Sequence, residues 1–153
     1  MKAQKIKAKG LLVGDGHLKQ KLEVYAARHE LDVSFLGFIN QRELPEIYSI
    51  GDALVLPSDP RETWGLVINE AFACGVPVIV SDAVGCVPDL IREGLTGYSY
   101  KCGDIEDLVL KMKQLIKDKE LNKDFNVGLS ERVEKYSTKF AADAIVSLLD
   151  VAV

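Results

Sequence analysis

Glu62-Thr63-Trp64-Gly65-Leu66-Val67-Ile68-Asn69-Glu70 sets two carboxylates eight residues apart. Between them a Thr-Trp-Gly opening leads into an apolar run that predicts the first turns of a helix. Just upstream, Ala53-Leu54-Val55-Leu56-Pro57-Ser58 reads as a buried strand ending in a loop. The pair therefore brackets a strand–loop–helix junction, the place where open α/β sheets bind ligands. A helix start offers unpaired N–H groups and a positive dipole end, which suit phosphate. Eight helical residues rise about 12 Å, at roughly 1.5 Å each. That is about the length of a nucleotide diphosphate-sugar from ribose to hexose. A plainer reading stands beside this one. Glu62 can be an acid before a helix start, favoured by the dipole, and Glu70 can pair with an arginine. Against it, Glu70 sits in the apolar run Val67-Ile68-Asn69-Glu70-Ala71-Phe72-Ala73, where a buried acid needs a polar partner.

Outward from this junction the chain alternates apolar runs with amphipathic ones. Leu11–Gly14, Val33–Phe38, Ala53–Pro57, Pro77–Ser81 and Gly97–Lys101 read as strands. Leu18–Glu30 reads as a helix with Leu18, Leu22, Tyr25 and Ala26 on one side. Arg42–Ile50 is a helix with Pro45 in its first turn, where a lost N–H costs little. Gly65–Cys74 is a helix stopped by Gly75, and Pro88–Glu93 a short one ended by Gly94. From Asp104 onward the chain reads as helical, with a second helix over Lys119–Lys135 and a third from Thr138 to Asp150. Strands rich in Val, Ile and Leu alternating with helices predict an α/β fold, a doubly wound parallel sheet covered on both faces. The expected organisation is one domain over 1–153 with C-terminal helices from about 104.

The composition bounds the function. The 153 residues suffice for one domain with a proper core. About half are hydrophobic and the net charge is −4, so the chain has no basic excess of the kind that non-specific nucleic-acid binding needs. No apolar run reaches the length of a membrane span. Cys74, Cys86 and Cys102 have no metal-ligand or C-x-x-C spacing and read as reduced thiols. His17 and His29 read as surface residues of a helix. The expected location is the cytoplasm.

The loops after the strands carry small or polar residues: Gly14-Asp15-Gly16, Gly37-Phe38-Ile39-Asn40, Ser58-Asp59-Pro60-Arg61-Glu62 and Ser81-Asp82-Ala83-Val84-Gly85. In a parallel sheet such loops share one edge, and glycines there let backbone approach a ligand.

Taken together these residues resemble the C-terminal, donor-binding half of the GT-B fold of the retaining family 4 glycosyltransferases. Leu12-Val13-Gly14-Asp15-Gly16 resembles the family's L-V-G-x-G strand, and Val33-Ser34-Phe35-Leu36-Gly37-Phe38 its V-x-F-x-G strand. Tyr48 with Asp52 to Ser58 resembles the Y-x-x-x-D…P-S segment. Glu62 to Glu70, continued to Val78, resembles E-x₇-E with its A-x-A-C-G-x-P-V extension. Asp82 to Gly97 is similar to a segment written G-G-x-x-E-x-I-x-x-G-x-x-G.

The resemblance implies roles. Glu62, the candidate catalytic residue, would contact hydroxyls of the donor sugar. Amides near Gly65 and Leu66, with Trp64 beside them, would face the diphosphate. Glu70 would bind the ribose hydroxyls. The Gly37-Phe38-Ile39 loop would hold the base, with Gly14 and Gly16 on the same edge. The substrate would be a nucleotide-sugar donor, with no metal and no other cofactor, since no D-x-D motif is present. Three departures appear. Trp64 stands where Phe is usual. Val84-Gly85-Cys86-Val87-Pro88-Asp89 replaces a double glycine ending in Glu. The basic Arg…Lys pair of the family precedes the L-V-G-x-G strand, where this sequence has only nine residues before Gly10.

From this follows the expectation that the first strand–helix unit and the acceptor-binding domain are missing. Met1–Lys9 would be the tail of a helix. Leu11–Gly14 would pair with Val33–Phe38, and Ala53–Pro57 with Pro77–Ser81 and Gly97–Lys101, around a gap. Either the halves close on each other, a partner chain fills the slot, or the chain is a truncated product of low stability; the open sheet is also a template for self-association. The full-length enzyme would be a hexosyltransferase of polysaccharide biosynthesis, associated peripherally with a membrane, and the fragment would be inactive alone. The alternative is a stand-alone nucleotide-binding or regulatory module without transferase activity. A receiver domain fits the size, but Gly14-Asp15-Gly16 and Pro57-Ser58-Asp59 match its acidic sites poorly.

Overall fold

The computed structural model describes residues 8–150, which divide into two compact units between Leu44 and Pro45. The expected helix tail over Met1–Lys9 falls almost wholly on residues 1–7, outside those described. The first unit runs β1 (Gly10–Val13), α1 (Lys19–Arg28), β2 (Val33–Gly37). The two strands pair in parallel, Gly10 opposite Val33 and Leu12 opposite Phe35, with a register shift that sets Val13 opposite Gly37. Of the α1 face expected to be apolar, only Ala26 is buried; Leu18, Leu22 and Tyr25 are exposed. His17 and His29 flank α1 in turns rather than lying within it, and both are exposed.

After α2 (Leu44–Ser49) the second unit continues through β3 (Leu54–Leu56), α3 (Leu66–Ala73), β4 (Val78–Ser81), α4 (Val87–Leu90) and β5 (Gly97–Tyr100). Three helices follow: α5 (Ile105–Glu120), α6 (Asn126–Lys135) and α7 (Thr138–Asp150). All strands pair in parallel, with β4 between β3 and β5. Side chains alternate across β4 because strand residues point to opposite faces. Val78 and Val80 enter a core with Ile68, Phe72, Leu90, Phe125 and Leu129, brought by α3, α4 and α6. Ile79 faces the other way, into a cluster with Tyr98, Tyr100 and Leu115 of α5. This sheet is therefore covered on both sides, the arrangement that apolar strands without alternation predict.

Two close approaches set its spacing. Gly97 lies opposite Val78 with φ 142°, and a Cβ there would stand 2.0 Å from the Val78 carbonyl oxygen. Asp118 of α5 is buried beneath β5, accepting hydrogen bonds from the Tyr98 hydroxyl, Gln114 Nε2 at 3.1 Å and Lys123 Nζ at 3.0 Å. A buried carboxylate is tolerated when its lone pairs are filled in this way.

The strands fall within a residue or two of the expected spans. One helix does not. α5 runs on to Glu120, Leu121 caps it, and Asn122 takes a left-handed φ of 55°. Asparagine tolerates that conformation and ends the helix there. Asp124 Oδ1 then accepts the Asn126 N–H at 2.8 Å, and α6 begins at Asn126, not at Lys119. The two strand groups pair as expected, β1 with β2 and β4 between β3 and β5.

Candidate donor-binding site

In the second unit the loop before α3 is fixed by main-chain bonds. The Glu62 N–H donates to the Asp59 carbonyl at 3.0 Å. The Gly85 N–H donates to the Glu62 carbonyl, and the Cys86 N–H to the Trp64 carbonyl, each at 3.2 Å. Gly85 backs so closely on Thr63 that a Cβ there would lie 1.9 Å from the Thr63 carbonyl oxygen. The departure from the double-glycine pattern thus keeps the one glycine that this crossing requires.

Gly65 makes the turn into α3. Its φ is 91°, and an added Cβ would press on Val84 Cγ1 at 3.0 Å and Leu56 Cδ2 at 3.2 Å. No side chain caps the start of α3. Leu66, its first residue, is exposed. The first N–H groups of a helix have no partner within it, so the amides at Gly65 and Leu66 are available to an anion.

Both carboxylates of the pair are half-buried, at the two ends of this segment. Glu62 carries no side-chain hydrogen bond among the described residues and borders an open depression of about 430 Å³ lined by Pro57, Ser58, Asp59 and Arg61. Arg61 folds back on Asp59, Nε to Oδ1 at 3.0 Å and Nη2 to Oδ2 at 2.6 Å. These bonds hold the Asp59 carboxyl down at about 2. Glu70 accepts the Tyr48 hydroxyl on Oε2 at 2.8 Å. Burial, and then this acceptor, push the Tyr48 phenol well above its ordinary value. The partner that a half-buried Glu70 needs is thus a tyrosine, not an arginine.

Trp64 is occupied structurally. Its indole N–H donates to Asn69 Oδ1 at 2.9 Å, and its ring stands 6.0 Å from that of Tyr136. Tyr136 in turn donates its hydroxyl to Asp89 Oδ1 at 2.8 Å. The shorter acid at position 89 therefore has a partner of its own, from the end of α6. Tyr48 and Asn69 lie in segments that the sequence marks and Tyr136 does not, but the pairings Tyr48–Glu70, Trp64–Asn69 and Tyr136–Asp89 were not legible, because packing and not motif spacing brings the partners together.

The first unit brings its own glycine loops together. The Gly14 N–H donates to the Gly37 carbonyl at 2.7 Å, and both glycines have positive φ, 120° and 68°. Asp15 Oδ1 accepts the Gly16 N–H at 2.8 Å, and the Gly16 carbonyl accepts the Lys19 N–H at 3.0 Å. Phe38 is 81% exposed and Ile39 half-buried. A Cβ on Gly37 would lie 3.3 Å from Lys19 Nζ, so an ammonium stands over this loop. Among the described residues no group of three or more His, Cys, Asp or Glu is placed to hold a metal, and no helix is long and apolar enough to cross a membrane.

Comparison with known proteins bears on the same residues. The sequence model of glycosyl transferases group 1 matches residues 1–128. Sulfoquinovosyl transferase SQD2 of Arabidopsis thaliana is 37% identical over 136 residues, covering 87% of this chain and 26% of that protein. N-acetyl-alpha-D-glucosaminyl L-malate synthase of Bacillus anthracis is 39% identical over 144 residues, 93% of this chain and 36% of that protein. In fold, the crystal structure of Anabaena HepE in complex with UDP superposes with a TM-score of 0.80 at 24% identity, covering 94% of this chain and 41% of that one. The chain thus spans well under half the length of these relatives. With its E-x₇-E segment laid along the start of α3 and a parallel α/β architecture matching GT-B structures, the chain belongs to the group 1 glycosyl transferase family.

Proposed function

We propose that residues 1–153 serve as the donor-binding part of a glycosyltransferase that moves a sugar from a nucleoside diphosphate to an acceptor hydroxyl with retention of configuration. One observation carries this. An uncapped helix start at Gly65–Leu66 lies between a Glu62 with no side-chain hydrogen bond among the described residues and a Glu70 held by Tyr48. The diphosphate rests on the helix amides. Glu62 takes sugar hydroxyls toward the Pro57–Arg61 depression. Glu70 takes the ribose.

Charge is balanced here by backbone dipoles and not by a cation, so binding is independent of metal. Positioning of the acceptor supplies much of the rate in a two-substrate reaction, and this chain's residues account only for the donor. Full turnover therefore needs acceptor-binding residues from elsewhere.

A thermal-shift panel of nucleoside diphosphates and nucleotide sugars tests this reading. A ligand present at about 100 times its Kd adds about 2.7 kcal/mol to stability, so a millimolar panel reports even a weak site. At least one nucleoside diphosphate raises Tm, with and without EDTA, and the chain alone turns over no added sugar acceptor. Loss of the shift in EDTA overturns the helix-terminus site. Robust transfer by the chain alone overturns the division between donor and acceptor parts.

A further inference from the structure

The bond between Tyr48 and Glu70 joins α2 to α3, twenty-two residues apart in sequence. Tyr48 is half-buried and packs against the main core, so its ring is held independently of any ligand. Its hydroxyl meets only Oε2 of Glu70; Oε1 has no hydrogen bond among the described residues. A carboxylate on a helix otherwise turns freely about its last torsion, which is broad for this side chain. Pinning one oxygen fixes the plane of the group and leaves the other pointing at a defined place.

We propose that Tyr48 is a positioning residue for ribose recognition: it fixes the Glu70 carboxylate so that the remaining lone pairs meet the two vicinal hydroxyls of a ribonucleoside diphosphate. This rests on the ribose role of Glu70 proposed above. Recognition geometry of this kind depends on a supporting partner that locks the contacting side chain. The consequence is selectivity: discrimination between ribose and 2′-deoxyribose depends on a hydroxyl that never touches the ligand. The raised Tyr48 phenol stays protonated through the neutral range, so the donor is always present.

The experiment uses the full chain and calorimetric titration with UDP, GDP and ADP and their 2′-deoxy counterparts. Tyr48→Phe keeps the ring and removes the hydroxyl. With the best of these ligands, Tyr48→Phe weakens ribonucleotide binding about tenfold, the size of one hydrogen bond, and brings ribo and deoxyribo affinities within about twofold of each other. In a Glu70→Ala background the same change has no further effect, since interacting residues are not additive. An equal loss for ribo and deoxyribo ligands, or the same loss in the Glu70→Ala background, assigns Tyr48 a packing role and overturns the proposal. Wild-type chain that binds none of the three, or a Glu70→Ala chain that binds as wild type, overturns instead the reading on which it rests.

Discussion

The β3-β4-β5 sheet and the β1-β2 sheet are both parallel and both built from apolar strands, yet they are buried very differently. Every residue of β4 is buried, with α3, α4 and α6 supplying one face and α5 the other. In β1, Leu11, Leu12 and Val13 are 37 to 42% exposed, and Ala26 is the one buried hydrophobic of its unit among the described residues. The strand patterns in sequence are alike, so burial follows from how many layers surround a sheet and not from how apolar its strands are. A two-stranded sheet with one helix has little to bury, and pairs of strands are marginal without further packing. The candidate site repeats the contrast. Among the described residues the glycine loops of the first unit are tied to each other, to the start of α1 and, through Asn40, to the turn that follows, whereas the loop at Glu62–Trp64 is clamped by main-chain bonds into the larger core.

Substitutions probe this difference. The largest effect belongs to Gly97→Ala, where the new Cβ meets the Val78 backbone at 2.0 Å in a left-handed conformation. The β4–β5 ladder must part, and the loss should exceed about 4 kcal/mol, among the largest single-residue effects; chemical denaturation checks it, and a loss below 1 kcal/mol would contradict the ladder spacing. Next comes Asp118→Asn. Burial alone would raise this carboxyl, but the bonds from Tyr98, Lys123 and Gln114 outweigh burial and leave it below its ordinary value of 3.8. Its stabilising contribution is therefore complete above that value and is lost as pH falls through the lower folded one. Asp118→Asn should cost about 1–3 kcal/mol at neutral pH and flatten the acid limb of the denaturation profile; an unchanged profile would remove Asp118 from the account. The smallest effect is expected from Leu12→Ala, below about 1 kcal/mol, because its side chain is already 38% exposed. Hydrogen exchange should show the same order, with β4 amides protected far more than those of β1. Equal protection would mean that the first unit is covered as well as the second.

Much of the fold was legible in the sequence because strand–helix alternation and punctuating glycines are local signals. The five strands, the stop at Gly75 and the helix starting after Gly65 follow from them. What local signals could not give was the break at Asn122, where Leu121 continues the apolar period while the backbone has already turned. Nor could they give the exposure of Leu22 and Tyr25, which depends on what is packed nearby and not on periodicity. At the site, the spacing of Glu62 and Glu70 and the glycine at 65 were visible because motif spacing is local. Tyr48 on Glu70 and Tyr136 on Asp89 bridge 22 and 47 residues, and only packing brings such pairs together.

Comparative calorimetry of Glu70→Ala and Glu62→Ala shows whether the two carboxylates of E-x₇-E divide the donor between them, as proposed. Titrations with a nucleoside diphosphate and with its sugar conjugate are compared for each variant. Glu70→Ala should weaken both ligands alike, by the roughly 1.5–3 kcal/mol of a lost charge-assisted hydrogen bond, because both carry ribose. Glu62→Ala should leave the bare diphosphate within about twofold and erase the preference for the sugar conjugate, a loss of the same rough size confined to one ligand. Equal losses for both ligands in both variants would contradict the account.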